Sequence, residues 1–215
     1  MLIKVPQGQD IEYAGEGTLK EIFVELDKEL LKKYIAARAE GEHVDFHTRL
    51  RSDAEVELIP WDAKEAAWIY RHSMSHVLAQ AVVRLFPDAQ LAIGPAIEDG
   101  FYYDFDMEEP FTPEDLKNIE KEMKRVIKQN HKFERVEVSR EQALEKIGDA
   151  IYKNELLADL ADDQTLSFYQ DGEFVDLCRG PHMLGTGQVK HFKLLSVAGA
   201  YWRGDESRKM LQRIY

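Results

Sequence analysis

The stretch LIKVPQGQDIEYAGEGTLKEIFVELDKEL (residues 2–30) decides how the first part of the chain folds. Leu2, Ile3 and Val5 lead through the turn-forming Gln7–Asp10 to Ile11 and Tyr13, which reads as a β-hairpin. Thr18 with Glu21 three residues later is a capping box. It opens a helix whose apolar face is Leu19, Ile22, Phe23, Leu26 and Leu30, at helical spacing. Tyr34–Ala39, His43–Phe46 and Glu55–Ile59 read as short strands separated by Glu40-Gly41 and Arg49–Asp53. A hairpin, one helix and further strands predict a small β-grasp unit over residues 1–60.

Pro60 marks the boundary, because the residue before a proline disfavours helix. Asp62 with Glu65 is expected to cap a second helix running to about Phe86, just before Pro87. The glycine- and aromatic-rich GPAIEDGFYYDFD (residues 94–106) reads as a loop. Thr112 and Pro113 start another helix, with Leu116, Ile119, Met123, Val126 and Ile127 as its buried stripe. Lys132–Val138 alternates like a strand, and Ser139 with Gln142 caps the helix after it. Leu166–Tyr169, Phe174–Leu177 and Phe192–Val197 are further strand candidates. The expected fold class is therefore α+β, with a β-grasp unit at residues 1–60 followed by a mixed α+β domain at 61–215. ESRKMLQRIY (residues 206–215) carries neither a capping glycine nor a polar tail, and reads as a chain cut before a next domain.

The 215 residues are 44% hydrophobic and 32% charged, which supplies a core and a hydrated surface. No apolar run nears the roughly 20 residues of a membrane-spanning helix. The start lacks the basic and apolar regions of a signal peptide. One cysteine excludes an internal disulfide and suits a reducing compartment, so the expected location is the cytoplasm. A net charge of −12 argues against strong non-specific binding to nucleic acid. The segment Arg179–Tyr215 reverses that sign, with seven basic groups against Asp205 and Glu206. It is either a solvated basic edge or a face for a polyanion.

Two pairs of residues can do chemistry. His72 and His76, in RHSMSH, stand four apart on a predicted helix and share one face, as helix-packing histidines or as a site. Cys178 and His182 stand four apart in DLCRGPH, where Gly180-Pro181 forbids a regular helix and a turn aims both side chains. The lone cysteine is an inert core residue or a member of a site. Together the four suit a shared tetrahedral metal centre or a proton-transfer network. Lys153 reads more readily as a surface lysine on its helix than as a cation for an oxyanion or phosphate. Asp176, two before Cys178 on a strand, orients a histidine, binds an amine or is simply solvated. Tyr102 and Tyr103 stack on a base or fill the core. His43, His47, His131 and His191 have no comparable partners.

RHSMSH (71–76), IGPAIEDGFYYD (93–104) and DLCRGPH (176–182) closely resemble the second amino-terminal domain of threonyl-tRNA synthetases, shared more distantly with alanyl-tRNA synthetases and free-standing alanyl-tRNA editing proteins. Residues 1–60 resemble the TGS domain that precedes it. The resemblance covers nearly the whole chain but lacks class II signature motifs and an anticodon domain. It implies a fragment that edits rather than aminoacylates. The implied substrate is serine misattached to the 3′ end of threonine tRNA, and the other implied partner is the rest of the synthetase chain; no membrane is involved. Carried onto matching positions, His72, His76, Lys153, Asp176, Cys178 and His182 form the catalytic pocket, with Tyr102, Tyr103 and Arg179 as substrate contacts. By the same resemblance the pocket works without a cofactor. If zinc binds, its ligands are His72, His76, Cys178 and His182, while ATP and a further zinc belong to the missing synthetic core. The rival readings are a free-standing alanyl-tRNA editing protein and a non-catalytic RNA-binding module with structural zinc.

Overall fold

A computed structural model describes residues 1–5, 8 and 10–215, and the chain begins in it with the expected hairpin. β1 (Leu2–Lys4) pairs antiparallel with β2 (Ile11–Glu12), setting Ile3 opposite Ile11. Of the turn expected at Gln7–Asp10, Gln7 and Gln9 lie outside the described residues. β3 (Gly17–Thr18) runs into α1 (Leu19–Leu26), and the capping box forms. Thr18 Oγ1 accepts the Glu21 amide at 3.2 Å, while Glu21 Oε2 accepts the Thr18 amide at 2.7 Å.

The helix is shorter than its apolar stripe suggests. Leu19, Ile22 and Phe23 are buried, but Leu26 is exposed and Leu30 opens a separate turn, α2 (Leu30–Lys33). Asp27 is the cause: its backbone is extended and its carboxylate accepts the Glu29 amide at 2.9 Å, an alternative to the helical ladder. β4 (Tyr34–Ala39), β5 (Glu42–Val44), β6 (Arg49–Leu50) and β7 (Ala54–Pro60) complete the unit. The five-stranded sheet has the order β2-β1-β7-β4-β5, with β1 and β7 parallel and the other neighbours antiparallel. Leu19, Ile22 and Phe23 pack into one apolar cluster with Ile3, Ile11, Ala37, Val56 and Leu58, which is the β-grasp arrangement. β5 stops at Val44, two residues before the expected end. Asp45 and Phe46 leave the strand and are both buried.

α3 (Lys64–Leu85) is the axis of the second part. The expected Asp62–Glu65 cap does not form: Ala63 is the N-cap, and Glu65 pairs instead with Arg38 of β4 at 2.9 Å. From Ser73 to Val82 every residue of α3 is buried, so this helix is surrounded rather than amphipathic. The stretch expected as a loop is more regular than that. It contains a hairpin of β9 (Ala96–Ile97) and β10 (Gly100–Phe101), and then β11 (Tyr103–Asp106), which pairs with β8 (Gln90–Leu91). α4 (Pro113–Gln129), capped by Thr112 and Asp115, packs Ile119, Met123 and Val126 into the same core as α3.

β12 (Glu134–Val138), β13 (Leu166–Asp171) and β14 (Phe174–Leu177) form an antiparallel sheet; α5 (Arg140–Ile147) and α6 (Ile151–Ala158) lie between the first two in sequence. A four-stranded sheet, β15-β16-β11-β8, includes β15 (Val197–Tyr201) and β16 (Met210–Ile214). The strand expected at Phe192–Val197 is irregular up to its last residue. There the Leu194 amide is taken by Glu120 Oε1 at 3.0 Å and the Leu195 amide by the Tyr215 carbonyl at 2.8 Å. Among the described residues no helix is long and apolar enough to cross a membrane.

Candidate active site

Helical spacing puts His72 and His76 on one face of α3, with ring centroids 5.5 Å apart. The CRGPH segment reaches them from the end of β14. Its start is held by the Cys178 amide, which donates to the Ser167 carbonyl at 3.0 Å, and by Ser167 Oγ, which donates to the Cys178 carbonyl at 2.7 Å. Gly180 has φ +73° and lies against Tyr169, so close that a Cβ would sit 2.1 Å from the tyrosine oxygen. The loop thereby returns His182 to α3, stacked on His72 at 4.3 Å and 4.2 Å from the His76 ring. Cys178 Sγ lies 3.3 Å from both His72 Nε2 and His182 Nε2. The ligating atoms of all four side chains lie within 4.8 Å of one another.

The surrounding bonds assign the imidazole tautomers. His72 Nδ1 faces the Pro181 carbonyl at 3.3 Å, an acceptor only, so Nδ1 carries the proton. His182 Nδ1 faces Ser73 Oγ at 3.2 Å, and that hydroxyl already donates to the Ile69 carbonyl at 2.9 Å, so His182 Nδ1 donates too. Two Nε2 lone pairs therefore converge on one sulfur. His76 Nδ1 is buried with no hydrogen-bond partner among the described residues. Burial pushes His72 down to about 4, His76 to about 3 and His182 well below the usual imidazole range. It also pushes the Cys178 thiol up to about 12. At neutral pH the cluster is three uncharged imidazoles and a thiol. It is suited to hydrogen-bonding water and unsuited to thiolate attack.

Converging lone pairs, a sulfur and an unpartnered buried nitrogen make a donor set that a tetrahedral ion such as zinc fits. His72, His76, Cys178 and His182 would hold it. Such an ion supplies Lewis acidity when a coordination position is open, and four protein ligands fill the tetrahedron.

A second cluster adjoins the first. Lys153 of α6 is buried, which corrects its reading as a surface lysine. Its Nζ lies 2.6 Å from Asp176 Oδ1 and donates to the Tyr103 hydroxyl at 3.1 Å. Tyr103 donates to Asp176 Oδ2 at 2.6 Å, and burial with that neighbouring carboxylate raises its phenol well above the usual range. Three elements thus deliver an ammonium, a carboxylate and a phenol to one point. The Tyr103 ring is not a free stacking face. It packs on Phe105 at 5.0 Å and lies under Gly94, where a Cβ would fall 2.1 Å from it.

Tyr102 turns elsewhere, with the Arg213 guanidinium 3.7 Å from its ring centroid and Tyr215 at 5.7 Å. Arg179 is exposed. His43, His47, His131 and His191 stand outside the cluster; His47 Nε2 lies 3.2 Å from the Leu184 carbonyl and His131 Nε2 lies 3.1 Å from Gln129 Oε1.

Sequence reasoning missed several supporting residues. Ser73, which aims His182, sits inside RHSMSH, and its place beside His72 was a usable signal. Trp68, one turn before His72 and 5.1 Å from its ring, is partly exposed. Phe133 stacks on His182 at 4.8 Å. Tyr169 and Asp45 had no local signal, because their roles come from contacts across more than a hundred residues.

Two family models match this chain: the TGS domain over residues 1–60, and the threonyl and alanyl tRNA synthetase second additional domain over residues 166–215. Similar relatives include threonine–tRNA ligases of Desulforamulus reducens (53% identical), Acetivibrio thermocellus (50%) and Clostridium tetani (49%). Each alignment covers 99% of this chain and 34% of the relative, so the chain spans about a third of the length of the curated relatives it matches. A TGS domain, the threonyl and alanyl tRNA synthetase second additional domain after it, and about half of all residues shared make this chain similar over 99% of its length to part of the threonine–tRNA ligases.

Proposed function

We propose that this chain removes serine from mischarged threonine tRNA by hydrolysis, using a pocket in residues 61–215 that follows a TGS unit at 1–60. The observation that carries the reading is the meeting of His72, His76, Cys178 and His182 beside the buried Lys153–Asp176–Tyr103 group. The need is physical. Serine differs from threonine by one methyl, which a binding site discriminates by only about 1–3 kcal/mol. A second pocket that admits serine and excludes threonine supplies the remainder.

In this reading a water oxygen attacks the ester carbonyl at the 3′-terminal adenosine, the bond to the ribose oxygen breaks, and a proton passes to that oxygen. Neutral His72 orients the water. Lys153 faces the developing oxyanion, and Asp176, whose oxygens retain lone pairs, receives the serine ammonium or hydroxyl. Tyr103 fixes Asp176. Exposed Arg179 meets the phosphate backbone in this reading, and Trp68 beside His72 offers a ring to the terminal base. The acidic net charge implies weak tRNA affinity for this stretch alone.

The test offers the purified chain seryl- and threonyl-tRNA. His72→Ala and Cys178→Ala are expected to lose seryl-tRNA hydrolysis while keeping the fold by circular dichroism. Retained hydrolysis would remove them from the mechanism. The converging Nε2 lone pairs and the unpartnered His76 nitrogen favour one second reading, a structural zinc module. One zinc per chain with no hydrolysis would establish that alternative.

A further inference from the structure

The pocket is not built by the second domain alone. Asp45, just past β5 in the β-grasp unit, is one of the few fully buried acidic side chains among the described residues. Its Oδ1 accepts the His47 amide at 2.9 Å, which anchors the carboxyl group on its own loop. Its Oδ2 turns the other way and accepts the Tyr169 hydroxyl at 2.5 Å, with the His182 amide at 3.5 Å. Tyr169 in turn lies edge-on to the His182 ring at 4.5 Å and fills the space under Gly180. The same two domains touch again where His47 Nε2 meets the Leu184 carbonyl at 3.2 Å, two residues beyond His182.

We infer that Asp45 is a positioning residue for the CRGPH loop: the TGS domain sets the orientation of His182, and through it Cys178, by clamping Tyr169 and the His182 backbone. The argument is one of bonding. Buried carboxyl groups are as a rule hydrogen-bonded, and of the four donors to this one the Tyr169 hydroxyl and the His182 amide come from the second domain. α3 holds the loop from one side, through His72 to the Pro181 carbonyl and through Ser73 to the His182 ring and the Met183 amide, and Asp45 holds it from the other. The TGS domain is thus a structural part of the pocket rather than only a neighbour of it. The catalytic consequence rests on the editing reading above; the geometric one does not.

Two readouts keep these separable. The first is steady-state hydrolysis of seryl-tRNA by the full chain. The second is the alkylation rate of Cys178 by iodoacetamide in the presence of a chelator; Cys178 is the chain's single cysteine, so the signal is unambiguous. Asp45→Ala is expected to lower kcat at least tenfold with KM within twofold, and to raise the alkylation rate severalfold as the loop loosens. Asp45→Asn, which keeps one acceptor, is expected to fall between Asp45→Ala and the parent. Tyr169→Phe removes the same link from the other side and leaves the TGS domain intact, so it serves if Asp45→Ala fails to fold. Parental alkylation and parental kcat in a folded Asp45→Ala or in Tyr169→Phe would overturn the inference. If the parent chain does not hydrolyse seryl-tRNA, the editing reading fails, and the alkylation rates still decide whether Asp45 holds the loop.

Discussion

Asp171 and Asp176 sit five residues apart on one β-hairpin, both buried, and the protein treats them in opposite ways. Asp176 meets the Lys153 ammonium at 2.6 Å and the Tyr103 hydroxyl at 2.6 Å. Asp171 meets nothing: both its oxygens lack hydrogen-bond partners among the described residues, and so does Oε1 of the adjacent Gln80. Gln80 donates to the Asp171 backbone carbonyl at 2.9 Å and leaves its carboxyl alone. Burial, seconded by Glu173, raises the Asp171 carboxyl to about 8, so it stays protonated at neutral pH. Two aspartates of similar burial therefore differ in what faces them. The end of the hairpin with a paired lysine can present a charge to a substrate; at the other end Arg84 is engaged by Glu173, and burial outweighs its pull on Asp171.

The largest effect is expected when the pair is broken. Lys153→Ala leaves Asp176 buried without its ammonium, which costs about 3–5 kcal/mol when one partner of a buried pair is lost. In a chain of this size that lowers the melting temperature by roughly 10 °C, at about 2–4 °C per kcal/mol. Melting within 2 °C of the parent would mean that the pair is hydrated in solution, and the contrast with Asp171 would collapse.

Asp176→Asn probes function more than stability. If the charge at this end serves the reaction, seryl-tRNA hydrolysis should fall by about 10²-fold or more, the order seen when a positioned polar catalytic group is lost. A loss under threefold would leave the Lys153–Asp176 pair as scaffolding.

The smallest effect sharpens the other side. The unfolded Asp171 carboxyl loses its proton above its ordinary value of 3.8, whereas the folded one keeps it to about 8. Between those values the folded state binds more protons, so this residue makes stability fall as pH rises. Asp171→Asn removes that penalty. Its melting temperature should exceed the parent's by a margin that widens from pH 5 to pH 8, by at most about 1.4 kcal/mol per pH unit, and then levels. A margin independent of pH would show that the Asp171 site is wet. Hydrolysis should be unchanged, because no hydrogen bond joins this carboxyl to the reacting groups.

Much of the fold was legible because its signals are local. The caps expected at Thr18, Thr112 and Ser139 involve a residue and its near neighbours, and all three form. The i, i+4 spacing of His72 and His76 required only a helix. Most of the errors were local signals overruled by distant partners. Arg38 took Glu65 from the expected cap of α3, and Glu120 took the amide of Leu194. Leu26 fell outside the helix core because Asp27 turned the chain. Lys153 was misread as a surface residue because a helical lysine looks the same in sequence whether water or a carboxylate receives it.

What the residues determined by themselves is the inventory: the β-grasp elements of the first part, and two pairs, His72 with His76 and Cys178 with His182, each spaced so that its members face one way. Periodicity and turn chemistry act over a few residues, and that range suffices for such statements. Protonation, partnership and reach were settled only by the tertiary structure. Whether an imidazole is neutral depends on the atoms that displace its water, and whether an aspartate keeps its charge depends on a lysine from another element. The part of Asp45 in the pocket depends on a tyrosine 124 residues away. Electrostatic energies change severalfold with burial and fall with separation, and neither quantity exists until the chain has closed on itself.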